Sequence, residues 1–127
     1  MKRRWEVVRL ILEHIESEDL YDYLRSESWK NEKYVSVGED ELLGHIEILE
    51  EAGLIRGASI QRSASGRIAH CSVFGAHVTM AGHDLLDALR DATVWNSIKE
   101  KARKVGSSLS WEFIKAALPC VMQELVR

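Results

Sequence analysis

Apolar residues recur every three or four positions at the start of the chain: Trp5, Val8, Leu12 and Ile15, with Val7 and Ile11 widening the stripe. Lys2, Arg3, Glu6, Arg9, Glu13 and Glu16 fill the wetter positions, and the spacing predicts an amphipathic helix over 2–16. Leu20, Tyr23 and Leu24 share a face of a short helix within 20–29, and Tyr34, Val35 and Val37 read as an extended piece before Gly38. Leu42, Ile46 and Leu49, with Leu43 beside them, give the clearest helix, over 39–52. Gly53 stands where a left-handed residue ends such a helix.

The period changes over 54–78. Ile60, Ile68, Val73 and Val78 are strand-like, Ser63 to Gly66 form a turn, and Gly75 marks a bulge. This predicts a β-hairpin or a small three-stranded sheet. Helical spacing returns with Ala81, Leu85, Ala88 and Leu89 behind Thr79 as N-cap. A break at Asp91–Thr93 follows, with Thr93 as the next cap. The face Val94, Trp95, Ile98, Ala102 and Val105 then ends at Gly106. Ser110 caps a last helix through Trp111, Ile114, Ala117 and Leu118. Pro119 lacks an N–H and crowds the Lys115 carbonyl, so it is predicted to kink or stop that helix, with a restart over 121–126.

The order of elements predicts a mainly α fold with a small β-hairpin wing: a winged-helix-like core over 1–78 and a C-terminal helical extension over 79–127. Without a linker, 1–127 reads as one domain. The 127 residues suit that size. One proline excludes collagen-like and proline-rich classes, and no apolar run approaches the ~18 residues of a membrane span. The basic start MKRRWEVVRLIL is followed at once by Glu13 and His14 with no small-residue cleavage site, which reads against a secretory signal. A cytoplasmic protein without a membrane partner is expected.

Three segments resemble a bacterial and phage-associated family of unknown function, small cytosolic proteins with a winged-helix-like front half. They are KRRWEVVRLILEHIE at 2–16, GHIEILEEAGLI at 44–55, and AGHDLLDALRDATVWNSIKEK at 81–101 continued by SLSWEFIKAAL at 108–118. The resemblance spans nearly the whole chain. It implies the fold and carries no catalytic assignment. Family members have a shorter connection where this chain has 20–33.

Charge changes the functional picture. The chain holds 20 acidic and 17 basic side chains, so the whole supplies no long-range attraction to nucleic acid. A winged helix-turn-helix places its third helix in the major groove. Here that helix carries six carboxylates and no lysine or arginine, and Asp40, Glu47 and Glu51 lie roughly 140–180° from Leu42 on the wheel. Arg56, Arg62 and Arg67 make the wing locally basic, as Lys2, Arg3 and Arg4 do the N-terminus. These six are the candidate nucleic-acid contacts. The alternatives are a solvated surface or pairing of the wing with the acidic helix.

Enzymatic chemistry is not indicated. His45 at the edge of the apolar stripe reads as a semi-buried histidine bonded to backbone. His77, His83, Asp84 and Asp87 lack a metal-binding spacing, so no metal and no cofactor is assigned. Cys71 and His70 are neighbours on a strand and face opposite ways. Cys120, among apolar residues, reads as buried and inert. Asp91, Trp95 and Asn96 read as a structural corner between helices.

The expected function is therefore a non-enzymatic regulatory or adaptor-type protein on a winged-helix scaffold, acting through protein interaction. Its expected interaction surfaces are the acidic face of Asp40, Glu47 and Glu51 and an apolar strip of Phe113, Leu118, Val121 and Leu125. That strip suits a protein partner or self-association as a dimer. Weak or architectural DNA binding through the wing and N-terminal residues is the alternative, and a metal-dependent enzyme is a third, remoter class.

Overall fold

In the computed structural model, which describes residues 1–126, the first stripe becomes α1 (Trp5–Glu16) with Val7, Val8, Ile11, Leu12 and Ile15 buried. The helix starts later than its spacing implied. Arg4 is extended at φ −128°, and its carbonyl accepts the N–H groups of Val7 and Val8. Residues 1–4 form an arm rather than a first turn.

Helix α2 (Leu20–Arg25) and a 3₁₀ turn (Ser28–Asn31) follow. A polar cluster ties α2 to α1. His14 stacks on Tyr23 with centroids 3.8 Å apart, and its Nδ1 lies 2.8 Å from Asp19. The Tyr23 hydroxyl donates to Glu32 at 2.7 Å; burial, then that carboxylate, push its pKa up. The expected extended piece at 34–37 pairs with no strand, and Tyr34 is exposed.

Helix α3 (Glu39–Glu51) buries Leu42, Ile46 and Leu49. Its end is the predicted one. Gly53 sits at φ 74°, the Leu54 N–H donates to the Leu49 carbonyl at 3.0 Å, and the Gly53 N–H donates to Glu50 at 3.1 Å. The two bonds satisfy carbonyls the last turn leaves open, and buried Leu54 and Leu49 close the motif from the core side.

Leu54 leads directly into an antiparallel ribbon. Strand β1 (Ile55–Arg56) pairs with β4 (His77–Val78), and β2 (Ser59–Arg62) with β3 (Ile68–Ser72). The two ladders part where Gly57, at φ 92°, approaches Gly75 closely; a side chain on Gly57 would collide with the Gly75 carbonyl. Gly75 therefore lies in the turn between β3 and β4, and the ladder irregularity falls at Gln61/Arg62, not at Gly75.

Helix α4 (Met80–Arg90) is capped as expected. The Thr79 hydroxyl accepts from the Gly82 N–H at 3.1 Å and donates to the Gly53 carbonyl at 2.7 Å, fastening the end of α3 to the start of α4. Leu85, Leu86, Ala88 and Leu89 are buried, whereas Ala81 is exposed. The chain divides within α4 into two compact units, residues 1–86 and residues from 87 on.

In the second unit α5 (Ala92–Val105) and α6 (Trp111–Leu125) pack on one another. Asp91, not Thr93, caps α5: its Oδ1 accepts from Thr93 and Val94 N–H groups at 3.0 and 3.2 Å. Ser110 caps α6 through the Phe113 N–H at 3.1 Å. Pro119 does not stop α6, which continues to Leu125. Lys115 and Pro119 are both exposed, so the carbonyl deprived of its partner lies on the water side. Because the helical phase runs on, Val121 turns inward and is fully buried, while Cys120 is exposed rather than buried.

The fold is thus mainly α with a small β wing. Among the described residues no helix is long and apolar enough to cross a membrane.

The α3 ending makes a direct prediction. Gly53→Val should lower stability by about 1–3 kcal/mol, because a β-branched residue tolerates the left-handed region poorly. Gly53→Asn should lose much less. Urea unfolding of the three proteins measures this, and equal midpoints would contradict the assigned role.

Candidate functional site

The candidate contact residues of the first unit lie on α3, the ribbon and the N-terminal arm. His45 organises them. It is fully buried, the Arg4 backbone N–H donates to its Nε2 at 2.9 Å, and its Nδ1 lies 2.7 Å from the Glu41 carbonyl. A carbonyl only accepts, so Nδ1 carries the proton and Nε2 is free to accept: these partners fix the neutral ring. Burial holds its pKa below the ordinary histidine value.

The same contact sets Arg4. Its guanidinium donates to both oxygens of Glu41, at 2.9 and 3.1 Å, to the Ser36 carbonyl at 2.7 Å, and to Glu6 at 3.2 Å. Arg4 is raised, and Glu41 lowered, chiefly by their mutual hydrogen bond. Of the three basic residues read as nucleic-acid contacts at the N-terminus, Arg4 is thus committed to α3. Lys2 and Arg3 are exposed, and Arg3 lies 4.5 Å over the Trp5 ring. Met1 packs over Gly44, so the arm crosses the face of α3 that the helical wheel placed outermost.

The acidic helix and the basic ribbon meet, which is the alternative in which the wing pairs with that helix. Arg62 donates from two nitrogens to the two oxygens of Glu47, one bond being 2.9 Å, and also to the Gly66 carbonyl. Its hydrogen bonds hold the Glu47 carboxyl below the usual range. Arg67 stands 3.6 Å from Asp40, and Arg56 reaches the Glu50 carbonyl at 3.4 Å. Glu50 in turn accepts from the Ala58 N–H at 3.2 Å. Glu47 is half-buried by this pairing, while Asp40 and Glu51 remain exposed. The pairs are solvent-facing and add little stability individually. Their consequence is electrostatic: Arg62 is closed onto the Glu47 carboxylate and Arg67 stands near that of Asp40, whereas Arg56 meets a main-chain carbonyl.

A groove runs between α2 and the returning half of the ribbon. One part, about 410 Å³, is lined by Tyr21, Leu24 and Arg25 of α2, Glu39 and Leu43 of α3, and residues 68–71 of β3. A second part, about 430 Å³, continues past Tyr21 and Val73, which line both, to Glu18, Asp22 and Phe74. Tyr21 and Phe74 face each other at 4.3 Å and are 41% and 75% exposed. Cys71 lies half-buried in the wall, its thiol pushed up by burial and so poorly suited to act as a thiolate. Two exposed aromatics on separate elements form a contact only after folding. Phe74 beside Gly75 was the one available signal.

In the second unit the expected apolar strip is partly dissolved. Val121 is core and lines no surface, Phe113 and Leu118 are half-buried, and Leu125 is exposed, joined by Met122 and Val126. Among the described residues no group of three His, Cys, Asp or Glu side chains is placed to hold a metal ion.

Comparison with known proteins places the chain. Residues 2–108 match the family described as "Hypothetical protein (DUF2513)", and the chain belongs to that family. The match covers α1 to α5 and stops before α6. A Haemophilus influenzae protein described as "Uncharacterized protein" is 29% identical over 126 residues, spanning 99% of each chain. No solved structure matches.

The buried imidazole makes stability depend on pH with a definite sign. Its folded pKa lies below the unfolded value of 6.5, so between the two the unfolded chain binds more protons, and stability rises with pH. The contribution is complete above pH 6.5 and is lost as pH falls towards the folded pKa. Glu41 and Glu47, whose folded pKa values are also lowered, add a further loss below about 4.5. Urea midpoints should fall on acidification below pH 6.5, and His45→Gln should flatten that first limb. An unchanged slope in the variant would assign the limb to another group.

Proposed function

We propose that this DUF2513 protein is a non-enzymatic regulatory or adaptor-type protein that acts through protein interaction from a winged-helix-like scaffold. The arrangement of α3, its glycine ending and the ribbon that follows supports the scaffold reading. One observation carries the functional one: the helix that such a scaffold offers to DNA bears Glu39, Asp40, Glu41, Glu47, Glu50 and Glu51, and the wing arginines are turned onto it. Carboxylates near phosphates repel, and a paired arginine must break its pair before it can neutralise a phosphate. The unit that carries both elements holds fifteen acidic and ten basic side chains, which favours a partner other than a polyanion.

The absence of catalysis belongs to the same reading. Both ring nitrogens of His45 are engaged in structure, and Cys71 is held as a thiol. A cytoplasmic setting, in which exposed Cys120 stays reduced, fits it. Partners include a second copy of the chain as well as another protein.

Titration of a labelled random-sequence DNA duplex with the full chain, at low and at moderate salt, tests the reading. No saturable binding is expected at moderate salt. Saturable binding that weakens steeply with salt, and that Arg62→Ala/Arg67→Ala abolishes across sequences, would overturn it in favour of a DNA-binding wing.

A further inference from the structure

The groove runs between α2 and β3. Four consecutive residues, 68–71, line it, although successive side chains on a strand point to opposite faces. A cleft that meets all four runs along the strand's edge. Within its sheet β3 has β2 as its sole neighbour, so one row of β3 N–H and C=O groups has no strand partner. Proteins usually blunt such an edge with lysine, proline or a bulge. The β3 sequence IAHCS has no lysine and no proline; of these devices it carries only a bulge, at Ala69, skipped between the pairs Gln61–His70 and Arg62–Ile68.

The opposite wall says what side chains would fit. Leu24 and Leu43 offer an apolar floor, and the Tyr21–Phe74 pair offers exposed aromatic faces midway. Beyond them Glu18 and Asp22 make the far end acidic, with no lysine or arginine lining it. The near end is balanced, with Arg25 and Glu39 both present. The two parts run on from one another past Tyr21 and Val73, so the cleft is elongated along the strand.

We propose that this groove binds an extended peptide segment of a partner protein, added as a strand along β3, with apolar side chains towards Leu24 and Phe74 and a basic side chain at Glu18 and Asp22. Main-chain bonds to the edge supply affinity, and the floor and the acidic end supply selectivity. The inference rests on the protein-interaction reading and assigns it a surface.

The test pans a phage-displayed random-peptide library against the immobilised full-length chain, then titrates the enriched peptides into ¹⁵N-labelled protein. Enriched peptides should share a basic residue spaced from apolar ones and shift the amides of 68–76 and of α2. Phe74→Ala should weaken them by about tenfold, and Glu18→Lys/Asp22→Lys should redirect selection towards acidic peptides. Both variants change exposed residues, and their thermal melts serve as the folding control. The wild-type amide map stands without them. No enrichment over an unrelated protein, shifts confined to 111–126 or to the outer face of α3, or self-association through β3 seen by light scattering would each overturn the proposal. Peptide failure with a silent DNA titration removes the groove alone, whereas saturable duplex binding removes the wider reading.

Discussion

A neutral imidazole enclosed in the core can keep its hydrogen bonds only if the chain brings it one donor and one acceptor. His45 takes its acceptor from its own helix, the Glu41 carbonyl, and its donor from forty-one residues earlier, the Arg4 N–H. Leaving that ring nitrogen unpaired in the core would cost on the order of 1–3 kcal/mol. The path of the N-terminal arm follows. Arg4 must stay extended to present its N–H sideways, so α1 begins at Trp5. From there the guanidinium reaches Glu41 and the Ser36 carbonyl, drawing the segment before α3 onto the arm, and Met1 crosses Gly44. The other end of α3 is fixed as firmly. Gly53 turns the chain so that Leu54 is buried and β1 begins at once, and Thr79 ties the Gly53 carbonyl to α4. Helix α3 is thus clamped at both ends, and the ribbon and α4 take their positions from it.

Most of this order was legible where it depends on spacing and on single residues with one conformational role. The stripes of α1 and α3, that of α5 apart from the exposed Val105, and the endings at Gly53 and Gly106 follow from periodicity and local backbone preference. What failed depends on partners distant in sequence. Arg4 reads as another helical residue until His45 claims its N–H. Thr93 reads as a cap until Asp91, two residues earlier, supplies a carboxylate with two donors in reach. Pro119 reads as a stop, yet a helix with a buried face on both sides of it keeps Ile114, Ala117 and Val121 in phase, and the lost bond falls where water can replace it. That phase carries Cys120 outward and Val121 inward, reversing both readings.

The charges of the first unit show why a scaffold alone does not specify a function. An acidic helix beside a basic ribbon can be read as a repelled and an attracted surface, or as a closed pair. Arg62 reaches Glu47 with two nitrogens while its third contact holds Gly66, so the hairpin turn is steered onto the helix. Arg56 and Arg67 lean the same way. The energy of each contact is small, and only that of Arg62 closes on a carboxylate through hydrogen bonds, so part of the wing's positive charge is met within the molecule. Composition established that 54–78 contains three arginines and no acid; only tertiary structure says where those arginines point.

The same pairing directs attention to the other edge of the ribbon. With the arm over Gly44 and Arg62 on Glu47, the exposed part of α3 offers carboxylates. The β3 edge offers the reverse, a run of main-chain groups that a second backbone can satisfy, beside leucines and an aromatic pair that folding leaves uncovered. Burying the Tyr21 and Phe74 rings inside the fold would require α2 to move against the ribbon, and α2 is held where it is by the His14, Tyr23 and Glu32 contacts. The cluster that fixes α2 thus sits beside the groove, whose Tyr21 and Phe74 rings stay uncovered in the folded chain.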